Sequence, residues 1–360
     1  MANFRRVGVL TGGGDCPGLN AVVRSVARSC FNHDIRIWGI KNGFGGLVEN
    51  QIDELNESQV SGILHRGGTI LGTTNRDNPF KYYTERNGAV SYRDMSGQAL
   101  ENLRSRGIEA LIVIGGDGSL AISGEFDKLG FPVVGVPKTI DNDIPYTERT
   151  FGFDTAVACA SDALDRLHTT AESHHRVMVL EVMGRYAGWI AVHSGLAGGA
   201  DVILIPELPF RIESVVAKIN ARKAQGKLFS IIVIAEGAFP AGGEVTVARI
   251  VEGSAEKIRL GGVGEKLARH IEDLTGVESR CTTLGHLQRG GSPTAFDRVL
   301  ATRYGVAAVD ALVAGETNCM VALQKNEIVR VPIQDVAGKP SNVPLEFLHV
   351  GRSIGISFGD

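Results

Sequence analysis

The chain lacks the features that mark several large protein classes. Its 360 residues hold only five cysteines, Cys16, Cys30, Cys159, Cys281 and Cys319. The number is odd and no two form a CxxC pair, which argues against a disulfide framework or zinc module and for a reducing compartment. The net charge is −3, with 21% charged residues and no basic stripe of the kind that binds nucleic acid. No apolar run reaches the length that spans a bilayer. The opening MANFRRVGVLTGGG has no signal-like stretch before its first strand, so a cytoplasmic protein is expected, soluble and without nucleic-acid or membrane partners. The 46 glycines follow no collagen-like or linker period, and no low-complexity linker interrupts the chain.

What is present fits an enzyme-sized α/β chain. Apolar residues make up 43%, enough for a sizeable core, and the length suits one large or two medium domains. Short β-branched strands alternate with amphipathic helices. RVGVLTGGGDCPGLNAVVRSVARSC reads strand, glycine loop, helix, and DIRIWGIKNG is a second strand. SGQALENLRSRGIEALIVIGGDGSLAISGEFDKLGFPVVGVPKTI continues helix, strand, loop, helix, strand. The pattern repeats from HRVMVLEVMGR through LGHLQRGGSP, and AFDRVLATRYGVAAVDALVAG is a long helix. The alternation predicts mainly parallel sheets in two Rossmann-like three-layer α/β/α domains. The chain crosses between them near residues 153 and 290.

Ligands of open parallel sheets lie beyond the carboxyl ends of the strands. Six strand ends here carry glycine, carboxylate or arginine: TGGGD, GGDGS, PKTIDND, EVMGR, AEGAF and LGHLQRGG. Together they point to a phosphate-rich ligand. In TGGGDCPGLN, bare N–H groups before a helix can meet phosphate, although a plain strand-to-helix turn explains the stretch equally well. In GGDGS, Gly115 and Gly116 permit close approach, Asp117 is a hard oxygen ligand for Mg2+, and Gly118 leaves room for a bulky ligand. Ser119 can cap the helix and donate to phosphate; the bland alternative makes Asp117 or Ser119 simply the N-cap. Asp141 and Asp143 lie two apart after a buried strand. If that segment stays extended, both carboxylates face one way, one as base and one to orient or bind metal, against the alternative of a solvated Asx turn.

Arg176, Arg185, Arg280 and Arg289 stand at strand ends, where an arginine fork grips phosphate, although each alone would default to surface. Glu236 follows the apolar SIIVIA and can accept from sugar hydroxyls or cap a helix. The residues therefore suit phosphoryl transfer from a polyphosphate to a phosphorylated sugar.

Taken in order, GVLTGGGDCPGLNAVVR, GGDGS, KTIDND, VMVLEVMGRYAG, GGADVILIPE and LGHLQRGGSPTAFDR resemble the phosphofructokinases over nearly the whole chain. The resemblance implies ATP-dependent conversion of fructose 6-phosphate to fructose 1,6-bisphosphate with Mg2+, in a homodimer or homotetramer whose subunits share active sites. It makes Asp141 the base, assisted by Asp143, Lys138 and Arg185, and Asp117 the Mg2+ ligand. Gly14, Arg76, Asp77, Gly116, Asp117, Gly118 and Ser119 match the nucleotide site. Thr139, Asp141, Met183, Gly184, Arg185, Glu236, His286 and Arg289 match the sugar-phosphate site, and Arg176 and Arg280 match residues that reach it from a neighbouring subunit. Residues 1–152 with about 290–340 would hold the nucleotide and Mg2+; 153–289 with about 341–360 would hold the sugar phosphate.

The segment LGTTNRDNPF is one residue longer than the family's usual one, and Arg76 is its candidate donor-phosphate arginine. Lys138 resembles the pyrophosphate-using relatives, whereas Gly118 resembles the ATP-using ones; the mixture resembles the mixed-substrate subgroup. A carboxylate at position 118 would occupy the space of the α-phosphate of ATP, so Gly118 favours ATP as donor. Arg24 and Arg28 fall one turn apart on the first helix, where relatives bind effector phosphates; a solvated helix face explains them as well. An NAD kinase-like enzyme also carries GGDG but lacks TIDND and GHLQRGG. A non-catalytic effector-binding relative would be expected to lose Asp141 or Asp117.

Overall fold

The structure, a computed structural model, describes residues 4–86, 89–250, 258–336, 338 and 340–360. Its strands in chain order are β1 (Arg6–Thr11), β2 (Arg36–Ile40), β3 (Ile52–Glu54), β4 (Tyr82–Arg86), β5 (Ala89–Arg93), β6 (Ala110–Gly115), β7 (Val133–Thr139) and β8 (Phe151–Gly152). They continue with β9 (Val177–Val182), β10 (Val202–Leu204), β11 (Ser230–Ala235), β12 (Val247–Ile250), β13 (Ile258–Leu260), β14 (Ser279–Thr283), β15 (Cys319–Gln324) and β16 (Glu327–Pro332). One sheet runs β16-β15-β7-β6-β1-β2-β3, with β8 beside β7; the other runs β10-β11-β9-β14. The second is parallel throughout, and the first is parallel except for its edge strands β3 and β16. This is the α/β, mainly parallel architecture expected.

Strand alternation sorts the core into layers. Val7 and Val9 of β1 face one cluster while Leu10 faces another, and Met178 and Leu180 of β9 part company with Val177 and Val179 in the same way. The cluster common to both sheets holds the Leu19–Asn32, Phe153–His174, Trp189–Ala197 and Ala295–Ala314 helices between them. Among the described residues no helix is long and apolar enough to cross a membrane.

Two features of this packing position the strand ends. The N-termini of the Phe153–His174 and Ala295–Ala314 helices cap each other. Asp297 Oδ2 accepts from Thr155 N (2.8 Å) and Oγ1 (2.6 Å), and Thr294 Oγ1 donates to Asp154 Oδ2 (2.6 Å). Thr294 N donates in turn to Thr155 Oγ1 (3.0 Å), so each helix start supplies an acceptor to a backbone N–H of the other. Burial pushes the Asp297 carboxyl up to about 6 despite those bonds. The Ala295–Ala314 helix also crosses the Leu19–Asn32 helix at Gly305, where a Cβ would meet Ser25 Oγ and lie 2.9 Å from Val22 O. The Leu19–Asn32 helix carries the glycine loop after β1, so this crossing sets the loop's height over the sheet.

Gly305→Ala should therefore destabilise the fold by roughly 1–3 kcal/mol through overpacking. The urea unfolding midpoint measures it; an unchanged midpoint would contradict the close crossing.

Candidate active site

Strand β1 connects rightward to β2 through one face of the sheet and β6 connects leftward to β7 through the other, so the chain reverses direction between β1 and β6. A crevice forms where such loops part. A cavity of about 340 Å3 opens there. Among the expected residues it is lined by Gly14, Arg76, Asp77, Gly116, Asp117, Gly118, Ser119, Lys138, Thr139, Asp141, Asp143, Arg185 and Arg289.

The two glycine loops interlock before they offer anything to a ligand. Gly12 N donates to Ile114 O (2.9 Å) and Gly13 N to Thr74 O (3.0 Å), so two of the three N–H groups in TGGGD serve the fold. A Cβ on Gly12 would lie 2.6 Å from Ser119 Oγ, and one on Gly14 would strike the Arg289 guanidinium. Gly12 and Gly14 are small because neighbours need the space, and Gly13 and Gly14 reach the cavity.

The GGDGS segment departs from the expected capping. Gly116 takes the N-cap position of the Asp117–Lys128 helix with extended backbone and no side-chain cap; Asp117 is the first helical residue and Ser119 the third. Neither Asp117 nor Ser119 caps the helix, because Ser119 is buried with its hydroxyl beneath Gly12 and Gly115. The first N–H groups of the helix are therefore left to the cavity, where the helix dipole favours an anion. A Cβ on Gly118 would meet nothing within 4 Å.

The carboxylates also share the cavity by a route other than the one expected. Strand β7 ends at Thr139, whose hydroxyl accepts from Asp141 N (3.1 Å), and Asn142 is left-handed at φ 54°. Thr150 N donates to Asn142 Oδ1 (2.9 Å) and fixes that conformation. The segment is a turn rather than a continued strand, as asparagine tolerates. Asp141 is 3% exposed and its Oδ1 has no hydrogen-bond partner within the protein. Burial pushes the Asp143 carboxyl up to about 7, with Asp141 and Asp117 adding repulsion.

Lys138 is 4% exposed and donates to Gly14 O at 2.5 Å. Burial lowers its basicity, and Arg289 and Arg185 lower it further against the pull of Cys16 and Asp141.

From the second sheet come Arg185, after β9, and Arg289, in the turn after β14. Arg185 is left-handed at φ 52°, its N–H donates to Glu236 Oε1 (3.1 Å), and its Nε lies 3.9 Å from Asp141 Oδ2. Arg289 Nη1 donates to Asp15 O (3.2 Å). Met183, Gly184, Glu236 and His286 do not line this cavity. Glu236 instead holds the Arg185 turn, and His286 is exposed on the Gly285–Arg289 turn. Arg176 and Arg280 lie elsewhere: both pair with Glu278, at 2.7 and 2.5 Å, by the amino-terminal ends of β9 and β14. Arg280 lies within β14 rather than ahead of it. Arg24 is half-buried and Arg28 exposed on their helix.

Several residues passed unnoticed in the sequence. Gln288, fully buried, accepts from Met183 N (2.9 Å) and sets the β9 loop, although it stands inside the conspicuous GHLQRGG. Thr73 Oγ1 donates toward Thr11 O (3.0 Å) and Gly13 O (2.6 Å). Phe44 and Ile122 supply apolar wall, and Arg259 enters from a hairpin. A phenylalanine or isoleucine among many gives no sequence signal of this role.

Comparison with known proteins places this geometry. The phosphofructokinase family model matches residues 6–312. The chain is 51% identical, over the full length of both, to ATP-dependent 6-phosphofructokinase 2 of Clostridium perfringens. It is 50% identical to pyrophosphate–fructose 6-phosphate 1-phosphotransferase of Amycolatopsis mediterranei, over 95% of this chain and 97% of that protein. Phosphofructokinase of Pichia pastoris in the T-state superposes with a TM-score of 0.79 at 31% identity, over 98% of this chain and 36% of the yeast chain. The fold is the one the phosphofructokinases share, and the class is that of a phosphotransferase. The chain belongs to the phosphofructokinase family.

Glu236 has a pH signature. Burial, with Asp141 adding repulsion, raises its carboxyl from 4.5 to about 7. Above the unfolded value the unfolded chain sheds this proton more readily than the native state, so native stability drains away as pH rises from 4.5 toward 7. Glu236→Gln keeps an acceptor for Arg185 N and should abolish that component. Relative to E236Q, the wild type should lose up to about 3 kcal/mol across that window in urea unfolding. A pH-independent difference would count against the shift.

Proposed function

We propose that the protein transfers the terminal phosphoryl group of ATP to fructose 6-phosphate, giving fructose 1,6-bisphosphate and ADP, the committing step of glycolysis, in the cytoplasm. The observation that carries this reading is a single cavity. It joins an uncapped helix N-terminus, three carboxylates on two loops, and Lys138, Arg185 and Arg289.

Each group then has a part. The open N–H groups at Asp117–Ser119 receive donor phosphates. Asp141 presents a buried carboxylate oxygen without a protein partner, suited to take the proton of the attacking hydroxyl. Lys138 holds positive charge beside the transferring phosphoryl group, and Arg185 and Arg289 stabilise its equatorial oxygens and the sugar phosphate. Met183, Gly184, Glu236 and His286, on the neighbouring loops, bind or shape the acceptor side.

The donor set fits Mg2+. Burial lifts Asp143, and repulsion from Asp141 and Asp117 adds to it, a repulsion that a cation relieves. Among the described residues no three His, Cys, Asp or Glu are grouped to hold a metal by themselves. That suits an ion taking Asp117 plus phosphate oxygens and water. When bound, Mg2+ neutralises developing charge on the donor phosphates.

For the donor, Gly118 carries the argument: the open space beside it accommodates the part of ATP that pyrophosphate lacks. Pyrophosphate is the second reading, favoured by Lys138. Its ammonium is buried and tethered to Gly14 O rather than free to swing aside. Arg176 and Arg280, paired with Glu278 away from this cavity, would serve the site of a second copy in a homodimer or homotetramer.

Steady-state turnover with each donor decides. ATP should give the higher kcat/KM, and comparable or better turnover with pyrophosphate would overturn the ATP assignment. Gly118→Asp should lower kcat/KM for ATP by about a hundredfold or more while the fold stays intact, because the new side chain has room. Asp141→Ser should cut kcat roughly a thousandfold and leave fructose 6-phosphate binding nearly unchanged, measured by stopped assay and calorimetry. Retained turnover would remove Asp141 from the base role.

A further inference from the structure

Arg259 lies on β13, in a two-stranded hairpin with β12 that joins neither main sheet. The hairpin exposes Val247, Ile250 and Ile258, so it is not held by a core of its own. Yet Arg259 lines the same cavity as Gly116–Ser119 and Arg76. Of the acceptor-side residues, Thr139, Asp141, Arg185 and Arg289 line it too, whereas Met183, Gly184, Glu236 and His286 do not. Arg259 thus shares its cavity with the groups assigned to the donor and with those set at the transferring phosphoryl group.

Its placement is anchored. Glu181, 2% exposed on β9, accepts from Gly262 N (2.9 and 3.1 Å to its two oxygens) and from Gly264 N (2.7 Å). Gly261 and Gly262 are consecutive positive-φ residues, at 134° and 85°, and turn the chain from the hairpin into the Val263–Thr275 helix. A buried carboxylate thus caps that helix and fastens the hairpin base to the strand that leads into Met183–Arg185. An arginine brought into a half-enclosed cavity loses hydration, and phosphate oxygens replace it well through a bidentate fork.

We propose that Arg259 is a donor-contacting residue of this enzyme, held over the cavity by the Glu181-anchored hairpin to bind phosphate oxygens of the donor. The proposal rests on the phosphotransferase reading above. Because a phosphate contact does not depend on the nucleoside, it holds for ATP and for pyrophosphate.

The test compares wild type, Arg259→Gln and Arg259→Lys. Calorimetric titration with Mg2+–ATP and with Mg2+–pyrophosphate reads donor binding without turnover; steady-state kinetics then read KM for donor and for fructose 6-phosphate. R259Q should weaken binding of whichever donor the wild type binds by about tenfold. Fructose 6-phosphate KM should stay within about twofold, and R259K should fall between wild type and R259Q. Donor affinity of R259Q within about twofold of wild type, or an equal loss for donor and sugar phosphate, would overturn the proposal. A wild type that binds donor without turning over would count against the kinase reading while the binding comparison still judged Arg259.

Discussion

The ammonium of Lys138 bonds to the carbonyl of Gly14, and through that contact the end of β7 is tied to the loop after β1. A cation so buried is costly unless opposite charge compensates it. Within the protein the compensation is partial: Asp141 draws it toward the charged form, while burial, Arg289 and Arg185 push the other way. Asp143 shows the same tension with reversed sign, since burial and its neighbours' charges hold it protonated to unusually high pH. The cavity is thus assembled from like charges that the fold forces together, which is how sites come to hold perturbed groups. A polyphosphate with its cation would relieve both sets at once.

Holding those charges in place requires a rigid frame, and the frame is built from helix ends. The Phe153–His174 and Ala295–Ala314 helices satisfy each other's amino termini through Thr155, Asp154, Thr294 and Asp297. The second of these helices also bears on the first helix through Gly305, so the loop after β1 inherits its position from a joint that touches no ligand. Glu181 does the same for the Val263–Thr275 helix. The helix that begins at Asp117 has no side-chain cap, as Leu19–Asn32 and Ile212–Ala224 have none, and its first turn borders the cavity.

Much of this was legible in the sequence, for a physical reason. Parallel strands buried on both faces read as continuous apolar runs, and the loops after them must turn sharply, so glycine, aspartate and arginine there stand out against Val and Ile. Thirteen residues expected from that signal and from the family resemblance together meet in one cavity. What was misread were local dihedrals and side-chain partners. The TIDND segment looked extended, but Asn142 adopts a left-handed turn that depends on Thr150, eight residues away. Ser119 looked like a cap, but its hydroxyl packs under two glycines from other strands. Gln288, Phe44 and Arg259 act through positions that only the folded chain brings together, and the hairpin bearing Arg259 has no periodicity that points at a site.

The two sheets divide the work in a way that follows from their topology. Cavity residues from the large sheet follow β1, β6 and β7, whereas Arg185 and Arg289 follow β9 and β14 of the small one. All five are parallel strands with carboxyl ends turned to one cleft. Backbone N–H groups and carboxylates of the cavity come mainly from the first sheet; the second sends arginines across. Asp141 Oδ2 and Arg185 Nε, one from each sheet, stand 3.9 Å apart, longer than a direct hydrogen bond and short enough for strong attraction. A transferring phosphoryl group would meet the arginine while the attacking hydroxyl of the acceptor met the carboxylate. Reaction geometry then depends on how the sheets are held relative to each other, which returns the burden to the capped helix joint between them.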